Sequence, residues 1–407
     1  MTKRVLFLMS DTGGGHRAAA EAIGEALKQR YGSRVEVELV DVFKSYSSFP
    51  WNYMPEFYPW LINHGKSSWG MGYKLSNTRR RAKAISQGMY VTIEGRIKRM
   101  VREHPADVVV CVHSVLTHLA AQALNAVGET RPPFVVVVTD LVSTHMFWYD
   151  HRADRTLTPT LPAYERGLSA GLDAETMRVT GLPVHPRFSE GLPSKHEARR
   201  SLGWDPHLPT LLIVGGGEGM GPMYKTARAI NSRHLNCQLV IISGRNKTLK
   251  AKLENSHWNQ PTHIYGFVND MPRLMSAADV LVSKAGPATI CEACIAGLPM
   301  ILYDAIPGQE TGNVEYVLTN GAGVFAPSPR EVADAAQSWL SEGSESLRRR
   351  SENARRIGRP NAVWEIADEV WEQAHKPRVP TNRRNLLQEV TKNSKLLTSL
   401  EQTVGRR

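Results

Sequence analysis

The feature that most narrows what this chain can become is a recurring unit: a short apolar or β-branched run, a turn of small residues, then a helical pattern. Its sharpest copy runs from Asp279 to Ser283 and on through Lys284-Ala285-Gly286-Pro287-Ala288-Thr289-Ile290-Cys291-Glu292-Ala293. Small residues there leave backbone N–H groups uncovered at a helix start, a cradle that suits a diphosphate. Lys284 and Thr289 can add a charge and a hydroxyl to it. Glu292 lies three residues past Thr289 on the same helix face, where a carboxylate can accept hydrogen bonds from two ribose hydroxyls. One strand later, Pro307-Gly308-Gln309-Glu310-Thr311-Gly312-Asn313 supplies Gln309, Glu310 and Asn313, all sugar-hydroxyl partners in type. Read together, these residues describe a nucleotide-sugar site.

The same unit opens the chain. Residues 4 to 10 are a continuous apolar run, followed by Asp11-Thr12-Gly13-Gly14-Gly15-His16 and a helical pattern to Arg30. This is not the G-x-G-x-x-G dinucleotide fingerprint. Gly14 and Gly15 let the backbone come close to a ligand, and His16 is held at the edge where open α/β sheets bind theirs. Strands at Val35 to Val40, Asp107 to Val112 and Phe134 to Thr139 follow, and His113, Asp140 and His145 stand near the ends of the last two as candidates to line the same cleft. After the Pro/Gly punctuation of Pro186 to Pro193, a second series begins at Leu211 to Val214. It carries Gly216 and Gly217, then Gly244-Arg245-Asn246, then Gly266-Phe267-Val268. Two such series predict an α/β protein of two Rossmann-like, doubly wound domains facing across a cleft. The expected bounds are 1–190 and 191–375, with a mobile basic tail over 376–407.

The formal charge of the 407 residues is +11, unevenly placed. Residues 66–102 hold ten Lys/Arg against Glu94, and residues 376–407 eight against two acids, so these segments carry +9 and +6 and leave −4 for the rest. Local basicity of this kind argues for an anionic partner surface. Ten aromatic residues crowd residues 43–73, Trp51, Trp60 and Trp69 among them, just ahead of Arg79-Arg80-Arg81. Rings beside clustered cations suit a bilayer interface with anionic lipid. Nucleic acid is not expected, because no zinc spacing, helix-turn-helix or RNP signature accompanies the charge. The four cysteines, Cys111, Cys237, Cys291 and Cys294, read as packed free thiols. No run approaches the ~18 apolar residues of a membrane span, and Met1 to Ser10 is a strand pattern, so a cytoplasmic protein is expected.

At Ser10 to Ala18, Gly215 to Pro222, Gly244 to Asn246, Lys284 to Ala293 and Ile306 to Asn313 the sequence resembles the monogalactosyldiacylglycerol synthases. It is similar, more distantly, to bacterial diacylglycerol glucosyltransferases and to the peptidoglycan N-acetylglucosaminyl transferase. The resemblance implies a GT-B architecture, with acceptor on the N-terminal side and UDP-sugar on the C-terminal side. It implies transfer of galactose from UDP-galactose to 1,2-diacylglycerol with inversion, and no cofactor or bound metal. By likeness His16 holds the catalytic position, Glu292 binds ribose, Gly266 to Val268 contact uracil, and Gln309 and Glu310 contact the sugar. From the residues themselves, His16 is the expected base, with Asp140 its orienter or the runner-up base, and Arg245 and the Lys284 to Thr289 loop meet the diphosphate. UDP-glucose remains an alternative donor, since C4 epimers differ in one hydroxyl direction. A first strand at Arg4 suggests a cytoplasmic form, peripheral on the cytoplasmic membrane face.

Overall fold

The computed structural model describes residues 2–12 and 14–381, and within them the recurring unit builds two sheets. The first contains β1 (Lys3–Met9), β2 (Val35–Asp41), β3 (Val108–Cys111), β4 (Phe134–Val137), β5 (Arg155–Thr158) and β6 (Met177–Val179). These are parallel throughout, in the order β2-β1-β3-β4-β5-β6. The second contains β7 (Thr210–Val214), β8 (Gln238–Ile242), β9 (Thr262–Tyr265), β10 (Val280–Lys284), β11 (Met300–Asp304) and β12 (Gly323–Phe325). Their order, again parallel, is β9-β8-β7-β10-β11-β12. Val108–Cys111 and Phe134–Val137 are buried at every position, as strands covered on both faces must be. Arg155–Thr158 escaped the sequence reading because its one large apolar residue, Leu157, gives no run; the sheet buries Thr156 and Thr158 beside it.

Each sheet reverses its strand order once. The chain leaves β1 for one side and returns to its other side as β3; β7 and β10 are the matching pair in the second sheet. At such reversals the flanking connections diverge and open a crevice beyond the strand ends. Helix α1 (Gly15–Tyr31) starts at the first crevice. The long connection from β2 to β3 carries, after short helical turns at Val42–Tyr46 and Trp51–Tyr53, the helices α2 (Met54–His64), α3 (Lys66–Ser76) and α4 (Arg79–Glu103). Helix α5 (Pro287–Ala296) starts at the second crevice, and α6 (Thr311–Thr319) follows β11.

The last helix, α7 (Ala362–His375), corrects the expected domain bounds. Its apolar face, Val363, Ile366, Ala367, Val370 and Ala374, joins the core of the first sheet with Phe7 and Ile23. Trp371 stacks on Tyr31 of α1 with centroids 4.0 Å apart, and Glu369 takes Arg155 at 2.8 Å and Arg178 at 2.7 Å. An apolar helix face needs a cover, and here α1 supplies it; the helix pattern could not say which half would do so. The start of the expected mobile tail is likewise anchored, Val379 and Pro380 pairing antiparallel with Arg131 and Thr130. The remainder of that tail lies outside the described residues.

Candidate active site

The first crevice holds an imidazole in one defined tautomer. His16 Nδ1 sits 2.8 Å from the Val112 carbonyl oxygen and 3.0 Å from Thr139 Oγ1. A carbonyl only accepts, so Nδ1 carries the proton and Nε2 keeps its lone pair. Burial holds the His16 pKa down to about 4, with the Val112 bond pulling the other way. The His113 ring lies against His16, tilted, with centroids 4.3 Å apart, and meets Thr12 Oγ1 through Nε2 at 2.9 Å. Gly14, at φ +80°, and Gly15 lie exposed with open space where a side chain would stand, so backbone is accessible to a ligand.

Asp140 is buried beside this pair, but it does not orient His16. Its Oδ2 accepts from Trp148 Nε1 at 2.7 Å, while Val112 and Thr139 hold the imidazole. Burial raises the Asp140 pKa to about 6 against the pull of Trp148 and Gln309. The Trp148 ring that donates to Asp140 has its centroid 6.3 Å from that of His16. His145 faces away, meeting Ser76 Oγ at 3.0 Å and accepting from the Phe147 N–H at 3.1 Å. It belongs to the packing of α3 and not to the His16 cluster.

At the second crevice, Gly286 precedes α5, Pro287 fills its first position without an N–H, and no side chain caps the helix. The N–H groups of Ala288 and Thr289 are therefore open to an anion. Lys284 reaches between two glycines: a Cβ on Gly216 would stand 3.4 Å from its Cε, and one on Gly286 3.8 Å. Among the described residues Lys284 Nζ has no ion-pair partner and Glu292 has no hydrogen-bond partner. Burial alone raises the Glu292 pKa to about 7. Arg245 pairs with Glu218 at 2.7 Å, and its guanidinium lies 4.3 Å over the Phe267 ring beside Gly217. Phe267, in the Gly266 to Val268 turn, is 52% exposed and offers a flat face.

The loop of residues 306–312 closes the cleft onto the N-terminal half. A Cβ on Gly70 would meet Pro307 at 2.8 Å; one on Gly308, at φ +81°, would meet Tyr73 at 2.9 Å. Tyr58 Oη donates to Gln309 Oε1 at 3.2 Å, the Gly312 N–H donates to Ser143 Oγ at 2.9 Å, and Lys66 pairs with Asp304. Glu310 is buried and accepts from the Ile306 N–H through Oε2 at 2.9 Å, leaving Oε1 near Gly286. Asn313 is buried; its Nδ2 donates to the Ala285 carbonyl at 3.0 Å and pins the loop to the turn before α5, while its Oδ1 has no partner among the described residues.

The expected membrane residues divide. Trp51 packs on the core with Nε1 donating to Thr92 Oγ1 at 2.9 Å, and Trp69 lies against Tyr58, so neither presents its ring outward. Trp60 is 55% exposed and stacks with the exposed Phe57; Arg79, Arg80 and Arg81 are exposed on the first turn of α4. Val112, Thr139, Trp148, Tyr58 and Tyr73 were not singled out from sequence as site residues. Thr139 and Val112 stand at strand ends, a signal that was available; the two tyrosines are read from their contacts with a loop far along the chain, which gave none.

Comparisons with known proteins meet this geometry. The family model for monogalactosyldiacylglycerol (MGDG) synthase matches residues 16–184, and the glycosyltransferase family 28 C-terminal domain matches residues 210–327. The chain is 40% identical over 376 residues to monogalactosyldiacylglycerol synthase 3, chloroplastic, of Arabidopsis thaliana, covering 90% of this chain and 81% of that one. It is 39% identical to the chloroplastic monogalactosyldiacylglycerol synthase of Spinacia oleracea, covering 90% and 72%. Among solved structures, MurG of Acinetobacter baumannii superposes with a TM-score of 0.57 at 16% identity over 91% of this chain and 99% of that one, a likeness of fold alone. The architecture is GT-B, as the sequence led one to expect. The location is corrected: the plant relatives are chloroplastic, which overturns the expected cytoplasmic placement and its cytoplasmic membrane face. Among the described residues no helix is long and apolar enough to cross a membrane. By identity sustained across nine-tenths of its length, this chain belongs to the monogalactosyldiacylglycerol synthase family.

Proposed function

We propose that the protein moves galactose from UDP-galactose to the free hydroxyl of 1,2-diacylglycerol, inverting C1 to give a β-galactolipid, with His16 as general base. One confrontation across the cleft carries this reading. On one wall stands a neutral imidazole with a bare Nε2; on the other, an unpaired lysine, an uncapped helix start and an uncommitted carboxylate. The acceptor O–H proton passes to Nε2 as its oxygen bonds C1, and the C1–O electron pair leaves on the β-phosphate of UDP. Lys284 and the N–H groups of Ala288 and Thr289 meet that charge. An incoming diphosphate raises the His16 pKa from about 4 toward the working range. Glu292 takes the ribose, Phe267 lies against uracil, and Gln309 with Glu310 Oε1 orients the hexose. With the charge assigned to protein groups, turnover is expected without a divalent ion.

A diacylglycerol acceptor stays in the bilayer, so the enzyme must meet a membrane surface. Phe57, Trp60, Met71 and Leu75 are exposed along α2 and α3, and Arg79 to Arg81 follow directly. The decisive test incubates purified protein with diacylglycerol in anionic vesicles and either UDP-galactose or UDP-glucose, then identifies the glycolipid. A β-monogalactolipid is expected. An α-linked product, or glucolipid formed as fast from UDP-glucose, refutes the assignment.

A further inference from the structure

We propose that Lys66 is a positioning residue for the nucleotide-sugar donor: by pairing with Asp304 it neutralises a carboxylate beside the diphosphate cradle and leaves Lys284 free for the ligand. This rests on the reading of the second crevice as the donor site.

Asp304 ends β11 at the second crevice and is built into the turn that precedes α5. Its carbonyl oxygen accepts from the Ala285 N–H at 2.7 Å, and it stands opposite Lys284 in the ladder, where the register shifts after Ser283. Neighbouring strands lie about 4.8 Å apart, and a lysine stem is long enough to bring its ammonium to a carboxylate one strand away. Lys284 does not do so. Its stem runs between Gly216 and Gly286, and the Asp304 carboxylate pairs instead with Lys66 from the N-terminal half. Helix α3 is arranged for this contact: Lys66, Gly70 and Tyr73 fall at i, i+4 and i+7 on one face, and they meet Asp304, Pro307 and Gly308 in that order. The two charged side chains are 36% and 26% exposed, too open for their attraction to hold the halves together by itself. The consequence is for charge. Glu310 Oε1 already lies near Gly286, and among the described residues no cation pairs with Glu310. An unanswered Asp304 would add a second carboxylate at the same turn, repelling a diphosphate and competing for Lys284.

Titration of the full-length protein with UDP-galactose by calorimetry, at one pH and without acceptor, tests the assignment. Lys66→Met is expected to weaken binding roughly three- to tenfold at low salt, and less when salt is added. Asp304→Asn keeps the carbonyl that holds Ala285 and removes the charge, so it is expected to bind at least as tightly as wild type. The double variant Lys66→Met/Asp304→Asn is expected to return to within about twofold of wild type, although the pair across the cleft is gone. A mere tether would behave otherwise, because each single variant and the double would lose the same affinity. Wild-type affinity in Lys66→Met overturns the assignment, as does an Asp304→Asn variant weaker than wild type or a double variant as weak as Lys66→Met. UDP-galactose binding by the wild-type protein in the same titration keeps the donor reading standing through any of those results; its complete absence removes that reading and this one together.

Discussion

Glu292 sits at the second crevice with its pKa raised to about 7 by burial, and no protein group competes for its oxygens among the described residues. If it binds ribose hydroxyls as their acceptor, the anion is the competent form, and donor affinity must follow its population. With a pKa of about 7, roughly one molecule in eleven carries the anion at pH 6 and roughly ten in eleven at pH 8. Association should therefore strengthen by about tenfold across that window, about 1.4 kcal/mol, with protons released on binding. UDP-galactose is the right probe, because its diphosphate is esterified at both ends and does not itself titrate there. Asp140, near 6, pushes the opposite way, since its negative charge opposes an anionic donor as pH rises. Glu292→Gln isolates the contribution: its neutral amide offers one acceptor in place of two, so binding at pH 8 should weaken roughly 10- to 100-fold and lose the upward slope. Isothermal titration calorimetry without acceptor measures both. A wild-type affinity that stays level from pH 6 to 8, or a Glu292→Gln variant that keeps the wild-type slope, refutes the assignment.

Three more outcomes follow from the same geometry. His16→Ala should lower kcat roughly 10²- to 10⁴-fold with saturating acceptor and leave UDP-galactose affinity near wild type; near-wild-type turnover would remove His16 as base. Lys284→Met should slow turnover more than it weakens UDP binding, and excess EDTA should leave wild-type turnover unchanged; EDTA inactivation would show that the diphosphate charge is met by something else. Vesicle binding should rise with anionic lipid and fall with added salt, and Trp60→Ala should weaken it roughly tenfold through lost apolar contact. Equal binding to neutral and anionic vesicles speaks against the surface formed by α2 to α4.

Much of the architecture was legible because parallel strands in covered sheets must be nearly continuous apolar runs. Residues 4–10, 211–214 and 279–283 announced themselves that way, and the small residues after each marked the crevices. Arg155–Thr158 was silent, since a strand built on two threonines owes its burial to neighbours. The turn and helix at the second crevice were the most legible part of the candidate site, because Lys284, Thr289 and Glu292 belong to one turn and one helix whose spacing fixes them relative to each other. The partners of Arg245 and Asn313 were not legible: Glu218 and the Ala285 carbonyl are brought to them by tertiary contact. The acceptor wall was harder still. His16 was found from its position after a strand, yet what fixes its proton comes from Val112 and Thr139, on two other strand ends.

The aromatic segment between β2 and β3 shows why composition alone misassigns a residue. A parallel crossover needs only about a dozen residues, so most of residues 42–107 is surplus to the sheet and free to serve the reaction. Neighbouring positions on a helix point roughly 100° apart, and Phe57 and Tyr58 use that difference, one exposed and the other bonded to Gln309 across the cleft. Tyr73 repeats the arrangement on α3, buried against Gly308 while Met71 and Leu75 face outward. The same two helices thus turn apolar side chains outward and contact the loop on their other side, Tyr58 through its hydroxyl on Gln309 and Tyr73 through its ring on Gly308, its hydroxyl going to the Ser143 carbonyl. On this reading the acceptor surface and the donor loop are one contact apart, and an enzyme whose acceptor lives in a membrane has its sugar-orienting glutamine braced by the helix that would meet it.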